Sequence, residues 1–254
     1  MSVLLMTVWL TGCVQEEFES TPSPAGNGIR FTLTVPDVNL PSVSSRTMTG
    51  TGTAKKEDEI ETVDILVFDM SKTPAVFLEW VSATGVTQDL ADNSTVSFSA
   101  VLSPTTASTC IVVVANKELD NIVSGFTKGA TTKVEAMEKM LHTQTGKWLA
   151  DGSTTGGYTR IPMYGEKVIS KITPSMDPIT GINMKRMLAR IDIRNNSATS
   201  NFTVEEVYLA NYNTTGYIAP AWNTNGQVTD PVPDTPVLPA GSGKMTEEGD
   251  AILY

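Results

Sequence analysis

The most regular pattern near the start of the chain is an alternation of apolar and polar residues over positions 29–36. Every second side chain is apolar, and the residues between them are Arg or Thr. The apolar positions are Ile29, Phe31, Leu33 and Val35. Because successive side chains of a strand point to opposite faces of a sheet, this period of two predicts a strand with one buried face.

Further apolar runs predict a mainly β protein. The clearest strand lies at 60–69, where both faces are apolar, so we expect it in the middle of a sheet. One face carries Val63, Ile65 and Val67, and the other carries Leu66 and Phe68. A second apolar run, 110–115, is predicted to be a buried strand. The other predicted strands are 75–81, 94–102, 167–172 and 184–194, and residues 161–166 are predicted to form a turn.

One clear helix is predicted after residue 132. Thr132 and Glu135 have the spacing of a capping box, in which each side chain satisfies a backbone amide of the other residue. Apolar residues then recur at helical spacing as far as Leu141, and Gly146 lies just past the expected end. His142, the only histidine of the chain, is therefore placed at the surface or at the end of this helix.

The N-terminal residues have the pattern of an exported lipoprotein. The apolar run at 3–10 is too short to span a bilayer but matches the apolar region of a signal peptide. It closes with Leu10-Thr-Gly-Cys13, which is similar to a lipobox, so residues 1–13 are predicted to be a lipoprotein signal peptide. The acidic spacer that follows, 14–28, is interpreted either as a surface-export signal or as a solvated stretch.

A polar loop separates the first predicted strand from the rest of the chain. Residues 37–55 have no hydrophobic period and contain one arginine, Arg46. Loops of this kind are common sites of proteolysis. A strand with a membrane tether on one side and a cleavable loop on the other can be removed from a finished domain. We therefore expect strand 29–36 to be removable, and we expect the groove that it leaves to be the functional site.

A change of composition at 195–200 predicts a domain boundary. The Asn- and Ser-rich stretch closes a first domain, 29–195, and a second β domain, 196–254, is expected to follow. The Asn225-Gly226 pair predicts a turn in this second domain. Because a unit of this length makes a poor independent core, we expect the second domain to be incomplete.

Composition and charge narrow the range of functions. Apolar residues make up 40% of the chain, which is enough for a core, and the formal net charge is −10. An acidic chain cannot collect the basic patch that binding to nucleic acid requires, so we expect no nucleic-acid partner. Charged residues are only 18% of the chain, which is typical of an exported β-rich protein.

The chain shows no pattern typical of a catalytic or metal site. A single histidine cannot form a two-histidine metal site, and Cys110 lies in an apolar run, where a free cysteine acts as a small apolar residue. The Gly-rich stretches do not join a strand to a helix, so no phosphate-binding loop is predicted. The acidic residues at 57–59 are expected to be solvated. We therefore expect no catalytic residues, no metal, no cofactor and no enzymatic activity.

Several short motifs, taken in order, resemble the fimbrillins of Bacteroidia, the FimA-like major subunits of type V pili. The motifs are the lipobox at Cys13, the strand ending at Pro36, Ser44-Ser-Arg46, Val63-Asp-Ile-Leu-Val-Phe-Asp69, Val113-Val-Ala-Asn116, Ile161-Pro-Met-Tyr-Gly-Glu166 and Leu188-Ala-Arg-Ile-Asp192. The likeness extends from the leader to about Tyr217. It implies a β-sandwich of transthyretin-like topology with one or two short helices, followed by an incomplete second sandwich.

The resemblance also implies a route of assembly. Cys13 would carry palmitate and anchor the precursor in the outer membrane, and an Arg-specific protease would cut between Arg46 and Thr47. The first strand would then leave the groove, withdrawing four plugs, which are Ile29, Phe31, Leu33 and Val35. A donor strand from a neighbouring subunit would fill the groove and build a fimbria on the cell surface that supports adhesion.

The implied partners are other fimbrillin subunits, anchor or tip subunits and the processing protease. In the family the donor strand comes from the C-terminal end of the second domain, and we expect this chain to end before that strand. The alternative function is that of an uncleaved fimbrial anchor, or of a surface adhesin lipoprotein that binds host protein or glycan.

Overall fold

The computed structural model describes residues 29–35, 58–88, 95–144, 160–188 and 215–219, together with the backbone of strands at 191–194 and 250–253. The described residues form two β-sheets that pack face to face, with two short helices outside one of them. This arrangement confirms the predicted mainly β sandwich with short helices.

The strands are, in chain order, β1 (Ile29–Thr34), β2 (Val63–Asp69), β3 (Val76–Ser82), β4 (Thr84–Gln88), β5 (Thr95–Ala100), β6 (Thr109–Ala115), β7 (Leu141–Thr143), β8 (Met163–Ile169), β9 (Ile179–Asn183), β10 (Lys185–Arg186), β11 (Ile191–Arg194), β12 (Thr215–Tyr217) and β13 (Asp250–Leu253). The helices are α1 (Asp120–Val123) and α2 (Lys133–Glu138).

The two large sheets enclose an inner core. One sheet has the strand order β4-β5-β1-β9, and the other has the order β10-β8-β6-β2-β3. Residues on the facing sides of β1, β5 and β9 and of β2, β6 and β8 form one buried cluster. The central position predicted for β2 is confirmed, since β2 pairs with β3 on one side and with β6 on the other. The largely apolar sequences of β2 and β6 follow from this position, because both faces of their sheet are covered.

A second core lies on the outer face of the five-stranded sheet. It contains Leu66 and Phe68 of β2, as predicted, and it is covered by both helices and by Ile218 and Ala219. β12 pairs with β7, and the Ile218 amide donates a hydrogen bond to the Met140 carbonyl. The remaining pair joins β11 to β13. The domain boundary after residue 195 and the incomplete second domain stay predictions.

The capped helix is shorter than the sequence predicts. Both halves of the capping box form, since the Glu135 amide donates to the Thr132 hydroxyl at 3.2 Å and the Thr132 amide donates to the Glu135 carboxylate at 2.8 Å. The helix nevertheless ends at Glu138, because Leu141 and His142 belong to β7 and pair with β12. The prediction for His142 was therefore wrong. Its ring is half-buried beside a strand pair, and this burial lowers its pKa.

Two predictions about strands are also wrong. β8 begins at Met163, so most of the predicted turn is a strand that pairs with β6 and β10. The single strand predicted at 184–194 is divided into β10 and β11, and β9 precedes it. β9 was not predicted from the sequence. Gly181 lies within it and Pro174 and Pro178 precede it, and proline and glycine are rare within strands.

Asp64 is a buried carboxylate on the outer face of β2. Its Oδ1 accepts hydrogen bonds from the Trp80 indole at 3.0 Å and from the Ser82 hydroxyl at 2.7 Å. Burial raises the pKa of Asp64, and the carboxylates of Asp120 and Glu118 raise it further, against the opposing effect of the two hydrogen bonds. The folded protein therefore holds a proton on Asp64 more tightly than the unfolded chain does.

We expect Asp64→Asn to raise the urea midpoint at about pH 7.5 and to leave it unchanged at about pH 3. Because the folded pKa is raised above the unfolded value, this group's contribution to stability is complete below the unfolded pKa and is lost as the pH rises through the folded pKa. The amide oxygen still accepts from Trp80 and Ser82, and the buried charge is gone. Urea unfolding at both pH values measures the effect, with the exposed Asp177→Asn as control. Equal shifts in the two variants would contradict the assignment.

Candidate functional site

Strand β1 lies inside the four-stranded sheet and not at its edge. It runs antiparallel to β5, from Ile29 opposite Ala100 to Thr34 opposite Thr95, and it runs parallel to β9 on its other side. Both edges of β1 are therefore paired with neighbouring strands. If β1 left, the facing backbone edges of β5 and β9 would be exposed together, and the gap between them would be one strand wide.

The four apolar side chains predicted as removable plugs lie in the inner core. Ile29 is 4% exposed, Phe31 and Val35 are each 1% exposed, and Leu33 is 0% exposed. The intervening side chains of β1 are half-buried or exposed. β1 therefore contributes one complete face to the core, and its other face points away from the second sheet.

Each wall of the gap contributes side chains that pack against β1. The ring of Phe31 stacks on the ring of Phe98 in β5, with centroids 5.0 Å apart and an interplanar angle of 5°. Leu33 lies opposite Val96 of β5 and opposite Ile182 of β9. All of these side chains belong to the same buried cluster. The gap left by β1 would therefore be a lined apolar groove.

The buried face of β1 accounts for a large share of the stability of the sandwich. Removing one such side chain from water contributes about 1.5–3 kcal/mol, so four contribute about 6–12 kcal/mol before the opposing entropy is counted. A whole domain is stable by only about 5–15 kcal/mol. An empty groove is therefore costly, and a strand that leaves it has to be replaced by another of similar shape.

The β9 wall of the groove is held by the opposite sheet as well as by β1. A bulge gives β9 one extra residue relative to β1, and Gly181 has a φ of 71° there, a conformation that favours glycine. Lys167 of β8 donates a hydrogen bond to the Thr180 carbonyl in this bulge. Gly165 of β8 lies so close to β9 that an added Cβ would be 2.9 Å from Ile182 Cγ2. These contacts hold β9 against β8 without the help of β1.

Residues 58–62, which we call the anchor segment, lead directly into β2. Asp58 is 7% exposed and forms an ion pair with Arg186 of β10. The expectation that the acidic residues at 57–59 are solvated is therefore wrong for Asp58. Its charge is tolerated inside the protein because a guanidinium lies directly against the carboxylate.

Asn116 ties the anchor segment to the end of β6. Its Nδ2 donates to the Glu59 carbonyl at 2.8 Å and to the Ile161 carbonyl at 3.0 Å, and its Oδ1 accepts from the Glu61 amide at 3.0 Å. Asn116 has a φ of 58°, in the left-handed region that asparagine adopts more readily than most residues. This conformation directs the side chain across two neighbouring segments.

Gln88 and Arg160 add further contacts to the anchor segment. Gln88 accepts from the Ile60 amide at 3.0 Å and donates to the Asp58 carbonyl at 2.7 Å. Arg160 forms ion pairs with acidic side chains of the segment at 3.0 and 2.8 Å. The chain immediately before β2 is thus held by hydrogen bonds and ion pairs to several other segments, and none of these contacts involves β1.

The anchor contacts were missed in the sequence because their partners are far apart along the chain. Asp58 and Arg186, for example, are 128 positions apart. One local signal was available, which is the asparagine directly after the apolar run of β6. An asparagine at such a position indicates a left-handed residue at the end of a strand.

A polar cluster surrounds Cys110 on the outer face of the five-stranded sheet. Lys133 Nζ lies 2.5 Å from Glu166 Oε2, Tyr164 donates to the same oxygen, and Cys110 Sγ lies 3.9 Å from it. Cys110 is buried, as predicted, and burial raises the pKa of its thiol. Because the thiolate is the reactive form, this cysteine is a weak nucleophile at neutral pH.

The part of the chain that the structure describes contains no group of three or more His, Cys, Asp or Glu side chains that could hold a metal ion. Within the same residues, no helix is both long enough and apolar enough to cross a membrane. Cys13, Arg46 and Thr47 lie outside the described residues. Lipidation, cleavage and the role of the four plugs therefore stay predictions.

A family model for the major fimbrial subunit protein FimA matches residues 29–232. The match begins at the first residue of β1 and includes both large sheets. The chain belongs to the FimA major fimbrial subunit family. The resemblance stated from the sequence is confirmed, and this FimA-family chain has the role of a component of a fimbria, an appendage of the cell surface.

Solved structures resemble this FimA-family chain at low sequence identity. A fimbrial assembly protein from Parabacteroides distasonis is 12% identical, with a TM-score of 0.42, over 89% of this chain and 77% of the other. A protein assigned to cell adhesion from the same species is 16% identical, with a TM-score of 0.46, over 90% and 70% of the two chains. A protein assigned to polysaccharide binding from Bacteroides thetaiotaomicron is 14% identical, with a TM-score of 0.41, over 80% and 62%. No curated protein sequence matches this chain.

Proposed function

We propose that this chain is a structural pilus subunit that polymerises by exchanging a strand. It is exported as a lipoprotein with lipid on Cys13, and it is held at the outer membrane until a protease cuts between Arg46 and Thr47. β1 then leaves with the lipidated fragment as a competing strand takes its place. A donor strand from a neighbouring subunit enters the groove between β5 and β9.

The position of β1 is the observation that carries this proposal. An interior strand with one fully buried face cannot be omitted from the sandwich, yet β1 comes from a segment that precedes the arginine-containing loop at 37–55. An extended peptide in its place would gain backbone hydrogen bonds from both walls and would bury alternate side chains. Such a replacement couples the folding of one subunit to its attachment to the next.

The contacts of the walls support the same proposal. β9 is tied to β8 through Lys167 and Gly165, and the anchor segment is tied to β10 through Asp58. The groove would therefore keep its β9 wall, and the new N-terminal part would stay held in place ahead of β2 when β1 is exchanged. The expected partners are other subunits of the pilus, its anchor or tip subunits, and the processing protease.

The proposed role is mechanical, and it requires no catalytic residue and no cofactor. What a pilus subunit has to supply is a stable sandwich, an acceptor groove and a strand to donate. The mature protein would be located in a cell-surface fimbria, and its precursor in the outer membrane. Through this fimbria the subunit would support adhesion.

We expect Arg46→Lys to abolish processing. Brief treatment of the folded precursor with an Arg-specific protease should convert the wild-type chain to a fragment that begins at Thr47, and intact mass measures its start. The variant should not give this fragment, because such a protease does not accept lysine. Arg30→Lys is the matched control. Pairing within β1 protects the backbone at that arginine, so the Thr47 fragment should still form.

Two outcomes of the cleavage experiment would contradict the proposal. One is a Thr47 fragment from the Arg46→Lys chain, and the other is a wild-type chain that keeps lipidated Cys13 and resists the protease. In cells, subunits expressed with a C-terminal donor strand should form an SDS-resistant ladder when residue 46 is Arg, and they should not form it when residue 46 is Lys. If the variant assembles pili normally, the function is instead that of an anchored lipoprotein or surface adhesin, and sugars and host proteins are the ligands to screen.

A further inference from the structure

We propose that Phe98 selects an aromatic side chain at the second buried position of any strand that occupies the groove. This inference rests on the proposed strand exchange and adds a chemical requirement to it. The strand that replaces β1 would need apolar residues at alternate positions, as burial demands, and an aromatic residue where Phe31 now lies. Phe98 would thereby fix the register of the entering strand.

The stack between Phe31 and Phe98 is the geometric basis of this selection. The two residues lie directly opposite each other in the antiparallel pair, and their rings are 5.0 Å apart and 5° from parallel. Ile179 of β9 lies opposite Phe31 on the other side. A flat ring can therefore occupy the space between an aromatic face and an aliphatic wall. Aromatic pairs of this kind contribute about 0.5–1.5 kcal/mol beyond the area that they bury.

The other buried positions of β1 do not have this property. Ile29 lies opposite the small side chain of Ala100, and the pairing of β1 with β9 begins only after it. Leu33 lies between two aliphatic residues, Val96 and Ile182. These positions favour any apolar side chain of suitable volume, and aliphatic side chains of similar size can replace one another there at modest cost. Position 31 is therefore the one at which the chemical type of the side chain matters.

The stack also separates the correct register from its nearest competitor. A strand that slips by one residue turns its apolar face to solvent, which is costly. A strand that slips by two residues keeps the apolar face buried. Its energy is therefore closer to that of the correct register than the energy of a one-residue slip. After such a slip an aliphatic residue would lie against Phe98, and the aromatic residue would lie at an aliphatic position. Phe98 thus makes the two registers unequal in energy.

Peptide exchange on the cleaved chain tests the proposal. The chain cut after Arg46 is incubated with an excess of a fluorescein-labelled peptide that has the sequence of residues 28–36. Parallel peptides carry Leu or Ala in place of Phe31, and a control peptide carries Thr34→Ala on the outward face. The Phe31 peptide should dissociate about two- to tenfold more slowly than the Leu peptide, as the energy of one aromatic pair predicts. The control peptide should match the Phe31 peptide.

The same peptides on a Phe98→Leu chain identify the source of the preference. The ratio of the Phe31 and Leu dissociation rates should fall to about one on this variant, since the ring face is gone. If the Phe31 and Leu peptides dissociate equally from the wild-type chain, the selection is overturned and strand exchange stands. If no peptide enters the groove, the selection and the proposed function both fail.

The intact chain supplies a second test that does not depend on cleavage. Phe31→Leu and Phe98→Leu are compared singly and together by urea unfolding. If the rings are coupled, the second substitution should shift the midpoint less in the presence of the first than it does alone. Additive shifts would overturn the proposal.

Discussion

Phe31→Ala is expected to lower the free energy of unfolding of the intact chain by about 4 kcal/mol, the largest effect of any single substitution in β1. Truncation removes a buried ring, leaves a cavity between the sheets and breaks the stack on Phe98. Because a domain is stable by only about 5–15 kcal/mol, the variant is expected to be close to unfolding under ordinary conditions. Urea unfolding followed by circular dichroism measures the change.

Thr34→Ala is the matched control for this prediction. Thr34 lies in the same strand, but it is exposed on the outer face, and the hydrogen bond that it accepts from the Met184 amide uses its backbone carbonyl. The control should change stability by less than about 0.5 kcal/mol. A similar loss in both variants would show that β1 is not held by its buried face, and the groove would then have no energetic basis.

The first prediction has a direct consequence for assembly. If the buried face of β1 supplies several kcal/mol, cutting the loop after Arg46 does not by itself release the strand, which stays bound through the same contacts. Exchange then requires a competing strand that takes over the groove as β1 leaves. The groove of a subunit therefore stays occupied by β1 until a neighbouring subunit supplies a strand.

Asp58→Ala is expected to destabilise the chain by about 3 kcal/mol, because it leaves the guanidinium of Arg186 largely buried without this carboxylate. The loss should exceed that of Glu61→Ala, in which a largely exposed ion pair with Arg160 is broken and about 0–1 kcal/mol is expected. Urea midpoints of the two variants, measured side by side, give the comparison.

A double substitution tests whether the pair, and not the volume of one side chain, explains that loss. Asp58→Leu combined with Arg186→Met replaces both charges with apolar groups, which often restores stability at buried pairs. The double variant should be more stable than either single variant. Additive losses would show that the two residues act separately, and the anchor segment would then not depend on their contact.

Much of the sandwich could be predicted because its pattern is local. The alternation in β1 and the two apolar faces of β2 follow directly from which residues point to which side of a strand. The capping box of α2 could also be predicted, since Thr132 and Glu135 interact across a single turn. In each case the residues that determine the structure are neighbours in sequence.

Predictions failed where a distant segment decided the local structure. Apolar spacing alone predicts that the helix extends from 133 to 141. Leu141 instead pairs with β12, so this part of the chain forms a strand. β9 has weak propensity and contains Gly181, but it forms because β1 and β8 hold it on two sides. Propensity differences of this kind are about 1 kcal/mol or less per residue, so several hydrogen bonds to a partner outweigh them.

The sequence by itself determined that this chain is a mainly β protein of the FimA family with an apolar strand ahead of a polar loop that contains Arg46. Only the tertiary structure decided that β1 is an interior strand, that the ring of Phe31 stacks on Phe98, and that Asp58 is buried against Arg186. The physical reason is the range of the interactions. Side-chain alternation is fixed within a few residues, whereas strand order and buried pairing depend on residues far apart in the chain that meet only after folding.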